Sequence, residues 1–298
     1  MIVELTSLIL ICILGYLSQS IGLCLVRGVN AAKDGKPLFL IAILLSGCTA
    51  WVAGVFAYIF NIQISLVNYQ VSLLSMIGGF LFGLGAAFNN GCGVSTISKL
   101  SRGHLTMLIT VLGWFIGWLL LTKFRAEPPL IGFNIKPIYH FTGLFILSLI
   151  VVGFTLRISS ENKKILFTML GIGLLGSLVF LIEPNWTPSA LLKDMSYSYW
   201  LNDYSLWPNM SRYILISFLI LGMLLAAFRA KTFKLIIDKW QVCFKHFLAG
   251  ICMGVGAALA NGGNDSQLLL ALPGLSLAGF VSVLFMLVGI FVGSKCIK

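Results

Sequence analysis

Long apolar stretches, each separated from the next by a short polar segment, run through almost the whole chain. A stretch of about 20 apolar residues is long enough to cross the hydrocarbon core of a bilayer as a helix. None of these stretches alternates apolar and polar residues as the strand of a membrane barrel does. The pattern therefore predicts an all-α polytopic membrane protein.

The apolar pattern predicts nine crossings, two of which are broken in the middle by glycine and polar residues. The hydrophobic residues make up 59% of the chain and the charged residues only 10%, which is typical of a single integral membrane domain. The predicted crossings are 5–26, 38–60, 72–100 (broken), 104–122, 139–157, 165–182, 212–228, 246–272 (broken) and 275–294.

The charges indicate how the chain is oriented. Basic residues dominate the loops 27–36, 157–164 and 229–245, so these loops are predicted to face the cytoplasm, with the N-terminus outside and the C-terminus inside. The loop 123–138 is the exception, since it is basic but lies outside in this scheme. The net charge of +11 does not indicate a nucleic-acid partner, because the cations flank apolar spans and form no basic surface interleaved with aromatic residues.

The two broken spans resemble each other. The segment GGFLFGLGAAFNNGCGVSTISKLSRG, from Gly78, aligns without a gap on AGICMGVGAALANGGNDSQLLLALPG, from Ala249. The charge pattern gives the two segments opposite directions, so we predict inverted repeats: repeat one at 1–122, a linking span at 123–164 and repeat two at 165–298. Inverted repeats with broken helices are the construction of many secondary transporters, whose sites lie between the repeats.

The breaks themselves are the candidate site. Irregular backbone at membrane depth is tolerated where it lines a cavity, and the restart of a helix presents unpaired N–H groups and a partial positive charge to an anion. We expect the first break near Asn90 and the restart near Val94. The candidate pathway residues are Asn90, Gly91, Cys92, Gly93, Ser95 and Thr96 in the first repeat and Asn261, Gly262, Gly263 and Asp265 in the second.

Three motifs carry a family resemblance. They are G-x-G-A-A-x-x-N-G-C-G at 83–93, S-R-G at 101–103 and Q-x-x-G-L-C at 19–24, and together they resemble the YeeE/YedE family of sulfur-transport membrane proteins. The resemblance implies a bacterial inner-membrane protein that imports thiosulfate or another small sulfur anion past intramembrane cysteines. It also implies a cytoplasmic sulfur-carrier protein similar to TusA as a partner. Cys92 and Cys24 match its cysteine motifs, and Cys296 is a further candidate at the exit.

Thiosulfate chemistry suits these residues. A neutral thiol donates to the sulfur end of the anion, and backbone N–H groups bind its oxygens without holding the anion too tightly for release. Gly263 stands where Cys92 falls in the first repeat, which puts a symmetric relay of two cysteines in doubt. Two interpretations of Asp265 remain: it caps the half-helix that follows, or it couples proton entry to anion movement.

Other function classes remain as alternatives. One is an intramembrane, thiol-dependent sulfurtransferase, and another is a membrane subunit that docks a cytoplasmic sulfur carrier. A sulfurtransferase needs an activated thiolate, and no base lies within a helical turn of Cys92 in the sequence. No ATP-binding motif, metal-ligand spacing or cofactor motif occurs, so we predict a transporter rather than an enzyme, without a cofactor. Lys99 and Arg102 are expected to reach toward lipid headgroups.

Overall fold

The computed structural model describes residues 2–62, 70–124 and 137–296, and these ranges are built from helices. A 3₁₀ turn (Ser46–Ala50) joins the third helix to the fourth, and a π turn (Gln267–Ala271) continues the thirteenth. The helices are α1 (Ile2–Ile21), α2 (Leu25–Lys33), α3 (Leu38–Leu45), α4 (Trp51–Ile59), α5 (Leu73–Phe88), α6 (Gly93–Leu100), α7 (Thr106–Thr122), α8 (Pro137–Thr155), α9 (Ser160–Ile182), α10 (Pro188–Leu201), α11 (Met210–Arg229), α12 (Trp240–Ala260), α13 (Asn264–Ser266) and α14 (Leu277–Cys296).

The predicted fold class is confirmed. Eight segments of the described chain are long and apolar enough to cross a membrane, so the protein is an all-α, multi-pass membrane protein. Helix α7 is a shorter apolar helix of 17 residues and occupies the crossing predicted at 104–122. The count of nine crossings stays a prediction. The basic residues Arg125 and Lys136, on which the exception to the charge pattern depends, lie outside the described residues.

The centre of the molecule is a layer of four helices in the order α14, α5, α12, α7. The helices α5 and α12 cross at glycines, since a Cβ on Gly78 would lie 2.7 Å from the carbonyl oxygen of Gly256. A Cβ on Gly85 would lie 2.7 Å from the carbonyl oxygen of Ala249, so the two helices run antiparallel. Small residues let backbones approach closely, which is how helices associate in lipid. The glycines that the two broken spans share therefore lie on the faces through which α5 and α12 pack.

The remaining long helices pack beside this layer. Helix α1 lies between α9 and α11, with Gly15 against the backbone of Leu219 and Gly222 against the backbone of Cys12. Helix α8 lies against α4 and the 3₁₀ turn, where the indole N–H of Trp51 donates to the hydroxyl of Ser148 over 3.0 Å.

The prediction of the first span as one continuous helix is wrong. The sequence predicts one helix over 5–26 followed by a loop at 27–36, whereas α1 ends at Ile21 and α2 occupies 25–33. The physical reason is Gly22, which has φ of 67° and turns the chain out of the helix. The two predicted breaks are present, since α5 ends at Phe88 before α6 begins at Gly93, and α12 ends at Ala260 before α13.

Four short helices meet among the long helices: α2, α6, α10 and α13. Helix α6 contacts α13 through the backbone N–H of Gly93, which donates to Oδ1 of Asn264 over 3.1 Å. These two residues are 171 positions apart, and so are Leu81 and Cys252, whose thiol donates to the carbonyl oxygen of Leu81 over 3.2 Å. Equivalent residues of two repeats that are related by a two-fold axis can touch each other only near that axis. Both contacts join residues at the offset of the two aligned segments, and inverted repeats remain a prediction.

Candidate functional site

Cys24 and Cys92 come from different predicted spans and meet in the structure. Cys24 immediately precedes α2, and Cys92 immediately precedes α6. The backbone N–H of Leu25 donates to Sγ of Cys92 over 3.4 Å. The Cys24 thiol lies against the side chains of Cys92 and Ser95. Both cysteines are buried, with exposed fractions of 9% and 1%. Two thiols therefore lie together at the N-terminal ends of two half-helices.

Two left-handed residues and two basic side chains build this arrangement. Gly22 ends α1, and Asn90, with φ of 52°, ends α5, so each long helix turns back toward a cysteine. The guanidinium of Arg27 donates to the carbonyl oxygen of Ile21 over 2.8 Å, and the ammonium of Lys99 donates to that of Asn90 over 2.9 Å. The expectation that Lys99 reaches toward lipid headgroups is therefore wrong, because the C-terminal carbonyls of α5 bind its charge.

Asn89 forms four side-chain hydrogen bonds at the first break, and it is not among the residues predicted from the sequence. Its Nδ2 donates to the carbonyl oxygen of Gly91 over 2.9 Å and to the hydroxyl of Thr96 over 2.8 Å. Its Oδ1 accepts from the hydroxyl of Thr110 over 3.1 Å and bonds to Nδ1 of His246 over 2.6 Å. Asn89 is fully buried and connects α5, α6, α7 and α12. The motif N-N-G at 89–91 indicates an asparagine at this break, but the alignment with Asn261 favours Asn90 over Asn89.

The other candidates of the first break have mainly structural contacts. The hydroxyls of Ser95 and Thr96 both donate to the carbonyl oxygen of Cys92 over 3.0 Å, so they fix the turn and are not directed outward as donors for an anion. Gly91 packs against Ser95, where a Cβ would lie 2.5 Å from the hydroxyl oxygen. The N–H of Gly93 is bound by Asn264. The thiols of the two cysteines are therefore the distinctive groups here.

The second break is built without a thiol. Asn261 has φ of 60° and Gly262 has φ of 156°, so the chain turns after α12 as it does after α5. Gly263 precedes α13, and Trp114 packs against it. A Cβ on Gly263 would lie 2.7 Å from Oδ1 of Asp265 and 3.1 Å from the indole of Trp114. A cysteine equivalent to Cys92 therefore has no room in the second break.

Asp265 bonds to a neighbouring half-helix as well as to its own. The carboxylate accepts from the backbone N–H of Ser189 over 2.9 Å and from its hydroxyl over 2.6 Å. Asp265 lies within the first turn of α13, and the backbone N–H groups of that turn also bond to it. The predicted cap of its own half-helix therefore describes only part of the role of Asp265, because the carboxylate also caps the first turn of α10.

Two cavities open at opposite ends of the central layer. The Asn90 cavity has a volume of about 220 Å³ and is lined by Asn90, Asn30, Lys33 and Ser294 among others. The Asn261 cavity has a volume of about 130 Å³ and is lined by residues such as Asn261, Lys193, Gln267 and Trp118. Because α5 and α12 are antiparallel, Asn90 and Asn261 lie at opposite ends.

Cys296 is exposed and ends α14, two residues beyond Ser294, which lines the Asn90 cavity. Its thiol is free and exposed, whereas those of Cys24 and Cys92 are buried. A role for Cys296 at the exit stays a prediction.

Half-helices that meet inside a polytopic helical layer, with a cavity at each end, are typical of membrane transporters. The family model described as Sulphur transport matches residues 23–292, so the chain belongs to the sulfur-transport family. The thiosulfate transporter TsuA of Escherichia coli (strain K12) is 22% identical over an alignment of 336 positions, which covers 97% of this chain and 93% of that protein. The resemblance to the YeeE/YedE family is confirmed, and the family places the chain among transporters rather than enzymes.

Proposed function

We propose that this protein imports thiosulfate, or a closely related small sulfur anion, across the bacterial inner membrane. The observation that carries the proposal is the pair of buried thiols, Cys24 and Cys92, at the N-terminal ends of α2 and α6. Helix N-termini favour an anion, and a thiol is a donor that matches the sulfur end of thiosulfate. The similarity to a thiosulfate transporter supports the same substrate.

The pathway would run from the Asn261 cavity outside, past Cys92 and Cys24, to the Asn90 cavity inside. The N-terminus is then outside and the C-terminus in the cytoplasm, as the loop charges predict. Neutral thiols and backbone N–H groups bind the anion weakly enough for release, since conduction needs binding that permits exit. Lys99 and Arg27 lie beside the thiols and add positive potential, although helix carbonyls already bind their charges.

The remaining parts of the pathway follow from the same direction of transport. Cys296 would meet the anion as it leaves through the Asn90 cavity. Membrane lipid surrounds the exposed apolar faces of the long helices. A cytoplasmic sulfur carrier similar to TusA would receive the imported sulfur at the inner face, where the basic residues of the loop 229–245 suit an acidic partner.

The test is uptake by a host that lacks its own thiosulfate and sulfate importers. Cells producing the protein should grow on thiosulfate as the sole sulfur source and take up ³⁵S-thiosulfate, whereas cells with the empty vector should not. Competition by unlabelled sulfite, sulfate and selenium analogues then ranks the substrates. If the protein reaches the membrane and uptake equals that of the empty vector, the proposal is wrong.

A further inference from the structure

A chain of three hydroxyl groups connects the Asn261 cavity with the buried carboxylate of Asp265. The Thr187 hydroxyl oxygen lies 2.9 Å from that of Ser266, which lies 2.7 Å from that of Ser189. The Ser189 hydroxyl donates to Oδ1 of Asp265 over 2.6 Å. The three hydroxyl residues line the cavity, whereas Asp265 does not line it and has an exposed fraction of 3%.

The hydrogen bonds in this chain can all point toward the acid. The backbone N–H of Ala190 donates to the oxygen of Thr187, which leaves the Thr187 hydroxyl proton for Ser266. A hydroxyl donates one hydrogen bond and accepts others, so Ser266 can donate to Ser189 while Ser189 donates to Asp265. Such a row of donors conducts a proton by successive transfers, each hydroxyl accepting one proton and releasing another. It leads from the cavity to one carboxylate.

The predicted repeat shows that a cap alone does not require these groups. Counted from the residue before each half-helix, Thr187 corresponds to Cys24, so Ser189 corresponds to Val26. Gly263 corresponds to Cys92 in the same way, so Asp265 corresponds to Val94. Helices α2 and α6 form with two valines at these places. The serine and the acid are therefore additions to the second repeat that helix formation does not explain.

The hydrogen bonds that Asp265 accepts from α10, in the part of the chain that the structure describes, come from neutral donors, the N–H and the hydroxyl of Ser189. Within the described ranges Asp265 forms no ion pair. On α10, Asp194 pairs with Arg212 over 2.6 Å, and the ammonium of Lys193 lies over the ring of Tyr197. On α6, the charge of Lys99 is bound to α5. The thiol of Cys92, which precedes α6, belongs to the anion site.

Asp265 is linked to the proposed anion site through the residue before it. Its neighbour Asn264 accepts the N–H of Gly93, the first residue of α6 after Cys92. A carboxylate at this place repels a dianion, and a protonated carboxyl does not. Anion binding and proton binding therefore favour each other electrostatically.

From this geometry we propose that Asp265 is a proton-binding site, loaded from the Asn261 cavity through Thr187, Ser266 and Ser189, which couples proton entry to anion import. This inference rests on the proposed function. A membrane that is negative inside opposes the entry of a dianion in proportion to its two charges; one proton that enters with it halves this electrical work, and a second proton removes it. A proton carried by Asp265 thus lowers the electrical work of anion entry, which neutral thiols do not do.

The experiment uses the full chain in proteoliposomes that contain a pH-sensitive dye. ³⁵S-thiosulfate is offered with an inward proton gradient, and its exchange against internal unlabelled thiosulfate is measured separately without a gradient. The wild type should accumulate label and acidify the lumen. Asp265→Asn, which resembles the protonated carboxyl, should keep exchange within about twofold but lose acidification and the response to the gradient.

Two further variants make the outcome specific. Ser189→Ala keeps the acid and breaks the hydroxyl chain, so gradient-driven uptake should fall about tenfold while exchange persists, and this variant carries the test if Asp265→Asn does not fold. Asp203→Asn removes an exposed acid on the outer segment and should behave as the wild type. A merely structural role would lower exchange and gradient-driven uptake equally.

The two proposals fail in different ways. Exchange by the wild type without acidification, or acidification by Asp265→Asn, would overturn the proton site and leave the proposed function intact. A wild type that neither exchanges nor accumulates thiosulfate would overturn both.

Discussion

Replacement of Asn89 by alanine should destabilise the protein more than any other loss of a single amide in the site. The substitution removes four buried hydrogen bonds of 2.6–3.1 Å and leaves the carbonyl oxygen of Gly91 and the side chain of His246 without these contacts. Each such bond contributes about 1 kcal/mol net, so we expect a loss of roughly 3–5 kcal/mol in the free energy of unfolding. Ala260 stands at the corresponding place of the second repeat, so the loss is specific to the first break.

Asn264→Ala is the matched control, because the side chain of this buried amide accepts a single hydrogen bond within the described part of the chain, from the N–H of Gly93. It should cost only about 1 kcal/mol. Both variants and the wild type would be purified in the same detergent and unfolded while tryptophan fluorescence is followed. Uptake by Asn89→Ala should also fall, since the turn that places Cys92 is no longer held. Equal stability of the two variants would refute the assignment of Asn89 as the connecting residue.

Three other predictions concern packing and orientation. Gly254→Ala should lower the melting temperature by several degrees, since its Cβ would meet the backbone of Trp114, whereas Gly143→Ala, which has open space, should leave it unchanged. Gly263→Cys should destabilise by about 1–3 kcal/mol and gain no uptake, as measured by unfolding and ³⁵S transport; a stable, faster variant would contradict the crowding seen there. An impermeant maleimide should label Cys296 only from the cytoplasmic side and an Asp203→Cys variant only from outside, and the reverse would contradict the predicted orientation.

The sequence was sufficient for the long helices and the two breaks, because apolar length and glycine-rich interruptions are local signals. It was insufficient for the break at Gly22, since one glycine followed by apolar residues does not differ from a glycine tolerated within a helix. The family motif selected both Cys24 and Cys92, but only the structure shows that their half-helices adjoin.

Side-chain direction accounts for the other misses. Lys99 has the position of a residue that reaches for headgroups, and its inward turn depends on carbonyl oxygens that become available only when α5 ends beside it. Asn89 and Asn90 are adjacent and chemically identical, so the sequence contains no sign of which one is buried. The bond between Ser189 and Asp265 joins residues 76 positions apart, and no local pattern predicts it.

The most direct test of thiol-assisted import compares Cys92→Ala, Cys92→Ser and Cys243→Ala in proteoliposomes at matched reconstitution. Cys243 is the control, since it lies in the first turn of α12, where its half-buried thiol is 3.7 Å from the carbonyl oxygen of Asp238. Initial ³⁵S-thiosulfate uptake should fall at least about tenfold in Cys92→Ala, recover in part in Cys92→Ser, whose hydroxyl still donates, and equal the wild type in Cys243→Ala. Uptake by Cys92→Ala at the wild-type rate would contradict a pathway past the buried thiols.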